Sequence, residues 1–153
     1  MKSLTRHLAY VLVGILVVAI SACAAPSNGQ TSTSATDLVN TDWSLESYGQ
    51  VGFETQVIEG TEVSLQFQSG GQVVGSGGCN SYGGQYTVSN GKISFSRIAS
   101  TEMACTAEGL MSQEAAFFQA LQNTGEFELR NNTLTIWYNN GQSVLNFVPP
   151  EAP

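Results

Sequence analysis

The strongest constraint on this chain is a repeated exchange between two-residue alternation and turn residues. From Thr41 onwards apolar side chains recur at every second position in short runs: Trp43 and Leu45, with Ser47 in phase; Val63, Leu65 and Phe67; Tyr86 and Val88; Ile93 and Phe95. Successive side chains of an extended strand point to opposite faces, so this period builds strands with one apolar and one polar side. The runs are separated by Ser69-Gly70-Gly71, Asn90-Gly91, Asn131-Asn132 and Asn139-Asn140-Gly141. Asn and Gly reach positive φ at low cost, and Asn-Gly suits the type I′ turn of a two-residue hairpin. The spacing predicts strands within Glu62–Gln68, Gln72–Gly77 and Lys92–Phe95, one around Tyr86 and Val88, and a meander over Glu126–Arg130, Thr133–Tyr138 and Ser143–Val148. Pro149 and Pro150 end the last strand.

One segment departs from the period of two. Between Glu108 and Asn123, Leu110, Met111, Glu114, Phe117, Phe118 and Leu121 fall at spacings of three, four and seven. That is an amphipathic helix. Thr106 is its expected N-cap, Glu108 suits the positive end of its dipole, and Gly125 is expected to close it. Phe117 and Phe118 are expected in the core. The predicted fold class is therefore mainly β (α+β): an antiparallel sheet curled towards a small barrel, with one amphipathic helix over an open end or edge.

The first 22 residues follow a different rule. Lys2 and Arg6 precede a nearly continuous apolar run from Leu8 to Ile20. The run falls short of the roughly 20 residues of a spanning helix and suits a secretory signal. Ile20-Ser21-Ala22-Cys23 then resembles the bacterial lipobox, which marks Cys23 for lipidation and for cleavage just before it. Ala24, where Asp would retain a lipoprotein at the inner membrane, favours the outer membrane if the cell has two. Residues 24–37 are small and polar and read as a flexible tether. The expected organisation is a signal peptide over 1–22, the lipidated Cys23 and its linker over 23–38, and a folded domain over 39–149. The expected address is the cell envelope.

Charge excludes some partners. Loss of Lys2 and Arg6 with the leader leaves three cations against twelve acids, a net charge of −9. Nucleic acid needs clustered cations to displace its counterions, and anionic lipid needs a basic patch. A membrane partner must then be reached through the acyl chains, each buried CH₂ contributing about 0.8 kcal/mol.

Cys79 and Cys105 are the two cysteines of the domain. In an oxidising compartment their default state is a disulfide, with two free thiols or a metal site as alternatives. A zinc site usually needs four Cys or His ligands, and the one histidine, His7, lies in the leader. No metal and no cofactor are expected.

Around these cysteines the sequence becomes specific. Gly75-Ser76-Gly77-Gly78-Cys79-Asn80-Ser81-Tyr82-Gly83-Gly84-Gln85-Tyr86 is similar to the G-x-x-G-C-N-x-Y-x-G-x-Y segment of the META (HslJ-like) domain family. Thr101-Glu102-Met103-Ala104-Cys105 resembles the same family's T-x-M-A-C segment, and Gln113-Glu114-Ala115-Ala116-Phe117 its helix. Thr41-Asp42-Trp43-Ser44-Leu45 resembles its opening, with Asn40 where Gly is usual. The resemblance spans about Val39 to Val148. It implies a small β-dominated fold with a helix, frequently on bacterial lipoproteins. One branch is linked to heat shock and novobiocin resistance, another to secretion and motility in parasites. Asn80, Tyr82, Thr101 and Met103 are the motif positions that carry over, as structural or binding residues. The structural expectation is that Asn80 caps a loop while Tyr82 and Met103 pack around the bridge.

Without histidine the mature chain cannot build a Ser-His-Asp or Cys-His nucleophile. Gly75–Gly78 lacks the Lys and helix start of a phosphate loop. Glu102, Glu108 and Glu114 are the acids nearest the motif, expected at the surface. The expected function is a non-enzymatic, monomeric envelope lipoprotein that binds a protein or another envelope component in maintenance or stress tolerance. The alternative is a small-ligand binder using the barrel's mouth.

Overall fold

The computed structural model describes residues 35–151, so the leader and Cys23 lie outside the described residues. A helical turn α1 (Ala35–Leu38) precedes β1 (Thr41–Gln50), β2 (Thr55–Gln56), β3 (Ser64–Gln68), β4 (Gln72–Ser76), β5 (Ser81–Ser89) and β6 (Lys92–Ser100). Helix α2 (Leu110–Leu121) follows, then the meander β7 (Thr124–Arg130), β8 (Thr133–Tyr138) and β9 (Ser143–Val148). Neighbouring strands pair antiparallel in the order β2-β1-β3-β4-β5-β6-β7-β8-β9, and β1 also pairs with β9. That last pairing closes a barrel of eight strands, with the two-residue β2 lying beside β1 as an extra. Closure removes the free edges that an open sheet would expose.

The turns form as their sequences require. Asn90 and Gly91 both have positive φ (52° and 72°), as do Asn131 and Asn132 (50° and 64°). Registers place apolar residues side by side on the inner face: Trp43 opposite Leu65, Tyr86 opposite Phe95, Leu134 opposite Phe147 and Ile136 opposite Leu145. A one-residue slip would turn each set outward, so the pattern fixes the pairing.

The inward side chains make one continuous cluster. Phe67 is fully buried, with Tyr86 edge-on at 4.8 Å and Phe95 at 6.3 Å between ring centroids. An eight-stranded barrel can be filled by its own side chains or can hold one small ligand. These rings belong to the single buried cluster inside the barrel. The two ends of β3 are closed differently. Near its start, Val63 and Leu110 of α2 both lie against the Gly78 turn. Near its end, Asn40 N–H donates to the Phe67 carbonyl at 2.8 Å, and the neighbouring Leu38 is wholly buried.

Strand ends shift from the sequence reading, most of all in β6, which runs past the expected Phe95 to Ser100, and three further boundaries differ for a physical reason. Leu38 belongs to the core and not to the linker; a lone Leu in a polar stretch carries no periodicity, and only the open barrel end gives it a place. The helix starts at Leu110, with Gly109 as N-cap at φ 77°, so neither Thr106 nor Glu108 is in it. A left-handed residue cannot sit within a right-handed helix, and the break falls there. The helix ends at Leu121 with Gln122 as its C-cap, and Gly125 lies in β7 instead of closing α2.

Candidate functional site at the Cys79–Cys105 clasp

Cys79 and Cys105 are bridged, with a sequence separation of 26 and 6.0 Å between their Cα atoms. The bridge ties the β4–β5 turn to the segment between β6 and α2. Asn80 and Glu114 do the rest. Asn80 is 2% exposed and Glu114 5%. Glu114 Oε2 accepts the backbone N–H groups of Asn80 (2.6 Å) and Cys79 (3.1 Å), and Oε1 accepts Asn80 Nδ2 (2.7 Å). Asn80 Nδ2 also donates to the Met103 carbonyl at 3.1 Å. Asn80 Oδ1 accepts from Thr101 Oγ1 and from the Met103 backbone N–H, both at 2.7 Å. One asparagine thus joins the helix, the turn and the 101–103 segment.

The sequence folds this way because the turn's glycines make room for the helix. A Cβ on Gly77 would stand 2.8 Å from both Glu114 Oε2 and the Phe118 ring, and Gly78 adopts φ 111°. Either position occupied by a larger residue would push α2 off the turn. Beside them Tyr82 is buried, its ring edge-on to Phe117 (5.8 Å) and Phe118 (5.4 Å), and its hydroxyl donates to the Ser64 carbonyl at 2.9 Å. Burial pushes the Tyr82 phenol well above its ordinary range. One turn of α2 away, Gln113 Oε1 accepts the Ile58 N–H at 2.8 Å and its Nε2 donates to Thr61 Oγ1 at 3.1 Å.

Chemically this is a clasp. Both oxygens of Glu114 are engaged by N–H donors, so it is not free to act as an acid or base, and Glu102 and Glu108 are exposed. Among the described residues no three His, Cys, Asp or Glu groups come together to hold a metal ion.

A family model described as the META domain matches residues 36–151. The chain belongs to the META domain family. No curated protein matches its sequence. Among solved structures, an NMR structure of a protein from Burkholderia xenovorans is similar, at 28% identity and a TM-score of 0.63, covering 75% of this chain and 85% of that one. A crystal structure of a DUF4847 family protein from Bacteroides vulgatus shares the fold, at 13% identity and a TM-score of 0.55, covering 76% of this chain and 96% of that one.

The META motif residues converge, but not all as the sequence suggests. Asn80 caps its loop, Tyr82 packs inward, and Thr101 joins the same network. Met103 does not pack around the bridge: its side chain is 58% exposed, and its backbone supplies the contacts. Glu114 is no surface acid but the centre of the clasp. Its signal was present, since it stands on the helix's apolar stripe between Leu110 and Phe117, where a carboxyl group must find buried donors. Gln113 is buried on the adjoining side and is legible only once Ile58 and Thr61 are placed beside it.

Proposed function

We propose that this META domain works as a lipid-anchored envelope module that binds a protein or another envelope component and performs no chemistry on it. The observation that carries the reading is the bridged Cys79–Cys105 pair at the centre of the motif. Disulfides persist in oxidising compartments and are rare in the cytosol. The bridge therefore agrees with the leader and lipobox that end at Cys23. The saturation of Glu114 and Asn80 by one another and by the 101–103 segment supports a motif that holds a shape. The family's link to heat and novobiocin tolerance suggests the physiological setting. The reading of the barrel as a lipocalin-like container is disfavoured by the buried cluster of Phe67, Tyr86 and Phe95 inside it.

The direct test is palmitate labelling of the protein in cells, with Cys23→Ala beside it, and survival of a deletion strain under heat or novobiocin. Label in the native chain only, and sensitivity rescued by the native gene but not by Cys23→Ala, is the expected result. An unprocessed cytosolic protein, or a deletion strain of unchanged tolerance, would overturn the proposal.

A further inference from the structure

The two tryptophans of the barrel occupy opposite situations. Trp43 faces inward, 4% exposed, and its indole N–H donates to Thr41 Oγ1 at 2.7 Å. Trp137 follows the inward-facing Ile136 on β8 and points outward, half-buried. Among the described residues its indole N–H has no protein partner. Its direct neighbour on β9 is Val144, which also faces outward, by alternation with the core residue Leu145, and yet is only 4% exposed. The indole therefore has an apolar base beside it.

What lies on the other side is open. β6 meets β7 at a single pair, Lys92 opposite Glu126, because α2 is inserted between them. The β7–β8 register is irregular between Thr124 and Phe127. The residue next to the Trp137 backbone across that irregularity is Gly125, which brings no side chain into the space beside it. The outcome is a cleft of about 430 Å³ on the barrel's outer surface, lined by Lys92, Asn123, Gly125, Glu126, Trp137 and Asn140 among others. That volume falls in the range of roughly 300–1,000 Å³ typical of ligand sites.

The lining selects a class of ligand. It offers one aromatic face, an unengaged indole N–H, two amide side chains, and one cation and one anion that make no ion pair with each other. Asn123 Nδ2 is committed to the Gln119 carbonyl at 2.9 Å. Lys92 and Glu126 cancel formally, so a charged ligand would meet one opposing charge for each favourable one. A purely apolar ligand would strip water from the polar rim without replacing its hydrogen bonds. A pyranose ring satisfies both parts: its C–H face stacks on an indole, and its rim of hydroxyl or acetamido groups both donates and accepts. We propose that the β7–β8 cleft binds a saccharide unit stacked on Trp137. This names one class of envelope component left open above and so rests on that reading. A binding measurement nevertheless tests it apart from lipidation and stress tolerance.

The experiment is a titration of the full-length protein, in detergent and isotopically labelled, with N-acetylglucosamine, its β-1,4-linked trimer and maltotriose, read by NMR chemical shifts and tryptophan fluorescence. The expected result is saturable shifts centred on Gly125, Glu126, Trp137 and Asn140 for at least one sugar. Trp137→Ala should weaken binding about tenfold or more. Gly125→Val is the second variant. Its backbone is not left-handed and a Cβ there would meet nothing closer than the Trp137 carbonyl at 3.8 Å, so the barrel keeps its fold while the new side chain takes up space in the cleft that Gly125 lines. It should abolish binding. No saturable shift with any of the sugars up to about 20 mM, or binding unaffected by Gly125→Val, overturns the cleft while leaving a palmitate-labelling result untouched.

Discussion

The clasp around Asn80 and the cleft around Trp137 treat polar side chains in opposite ways. In the clasp, a carboxyl group and an amide are buried and every acceptor faces a donor of this same chain. In the cleft, an indole N–H, an ammonium and a carboxylate stand at the surface with no protein partner among the described residues. Buried polar groups must be paired or they cost about 1–3 kcal/mol each, whereas groups left in water can keep their capacity for a ligand. A motif rich in polar residues is therefore no guide to where a molecule binds. The more recognisable region here is internally complete, and the less recognisable one is open.

Substitutions can break or sharpen this contrast. Glu114→Ala should have a large effect, comparable to loss of the bridge or greater, because it orphans three N–H donors at once. A loss of about 3 kcal/mol or more in urea unfolding is expected, a large part of the 5–15 kcal/mol typical of such domains. A loss under about 1 kcal/mol would mean the clasp is not the closed network described.

Replacing Cys79 and Cys105 by Ser, or reducing the bridge, should lower stability by about 3.5 kcal/mol, the chain-entropy value for a loop of this separation. The same urea midpoint with and without reductant checks it.

Tyr82→Phe should cost about 1 kcal/mol at neutral pH, through the lost bond to Ser64. It should also change the pH profile. The unfolded chain releases its phenol proton near pH 10, while burial makes the folded one keep it. The contribution is thus fully present below about pH 10 and falls as pH rises further, by up to about 1.4 kcal/mol per pH unit. Unfolding measured between pH 8 and about 11.5 should show a shallower alkaline decline in Tyr82→Phe, with Tyr86 and Tyr138, both also raised by burial, accounting for what remains.

Met103→Ala should have the smallest effect, within about 0.5 kcal/mol, since only its backbone enters the network. A larger loss would restore the packing role that the motif suggests and blur the line between the two regions.

Much of the barrel was legible in advance because strand alternation and Asn-rich turns are local signals. Each depends on residues one to three positions apart. The Asn90-Gly91 hairpin, the Asn131-Asn132 turn and the apolar alternation from Trp43 to Phe95 all follow from that. The helix boundaries were less legible: Thr106 is an acceptable cap in isolation, and only the left-handed turn at Gly109 displaces it. Within the site, Asn80 and Tyr82 could be singled out by their motif. The burial of Glu114 depends on α2 lying across the Gly77–Gly78 turn, and the openness of Trp137 depends on Gly125 in a neighbouring strand.

The sequence by itself determined the mainly β character, the one helix, the turn positions and the family, since period, turn chemistry and motif spacing are properties of neighbouring residues. Tertiary structure alone decided closure through β1 and β9, the use of Leu38 as part of the core, and the division between satisfied and open polar groups. These depend on which atoms meet across long stretches of chain, as at the Cys79–Cys105 bridge, and a hydrogen bond cannot be assigned before its two partners are brought within reach of each other.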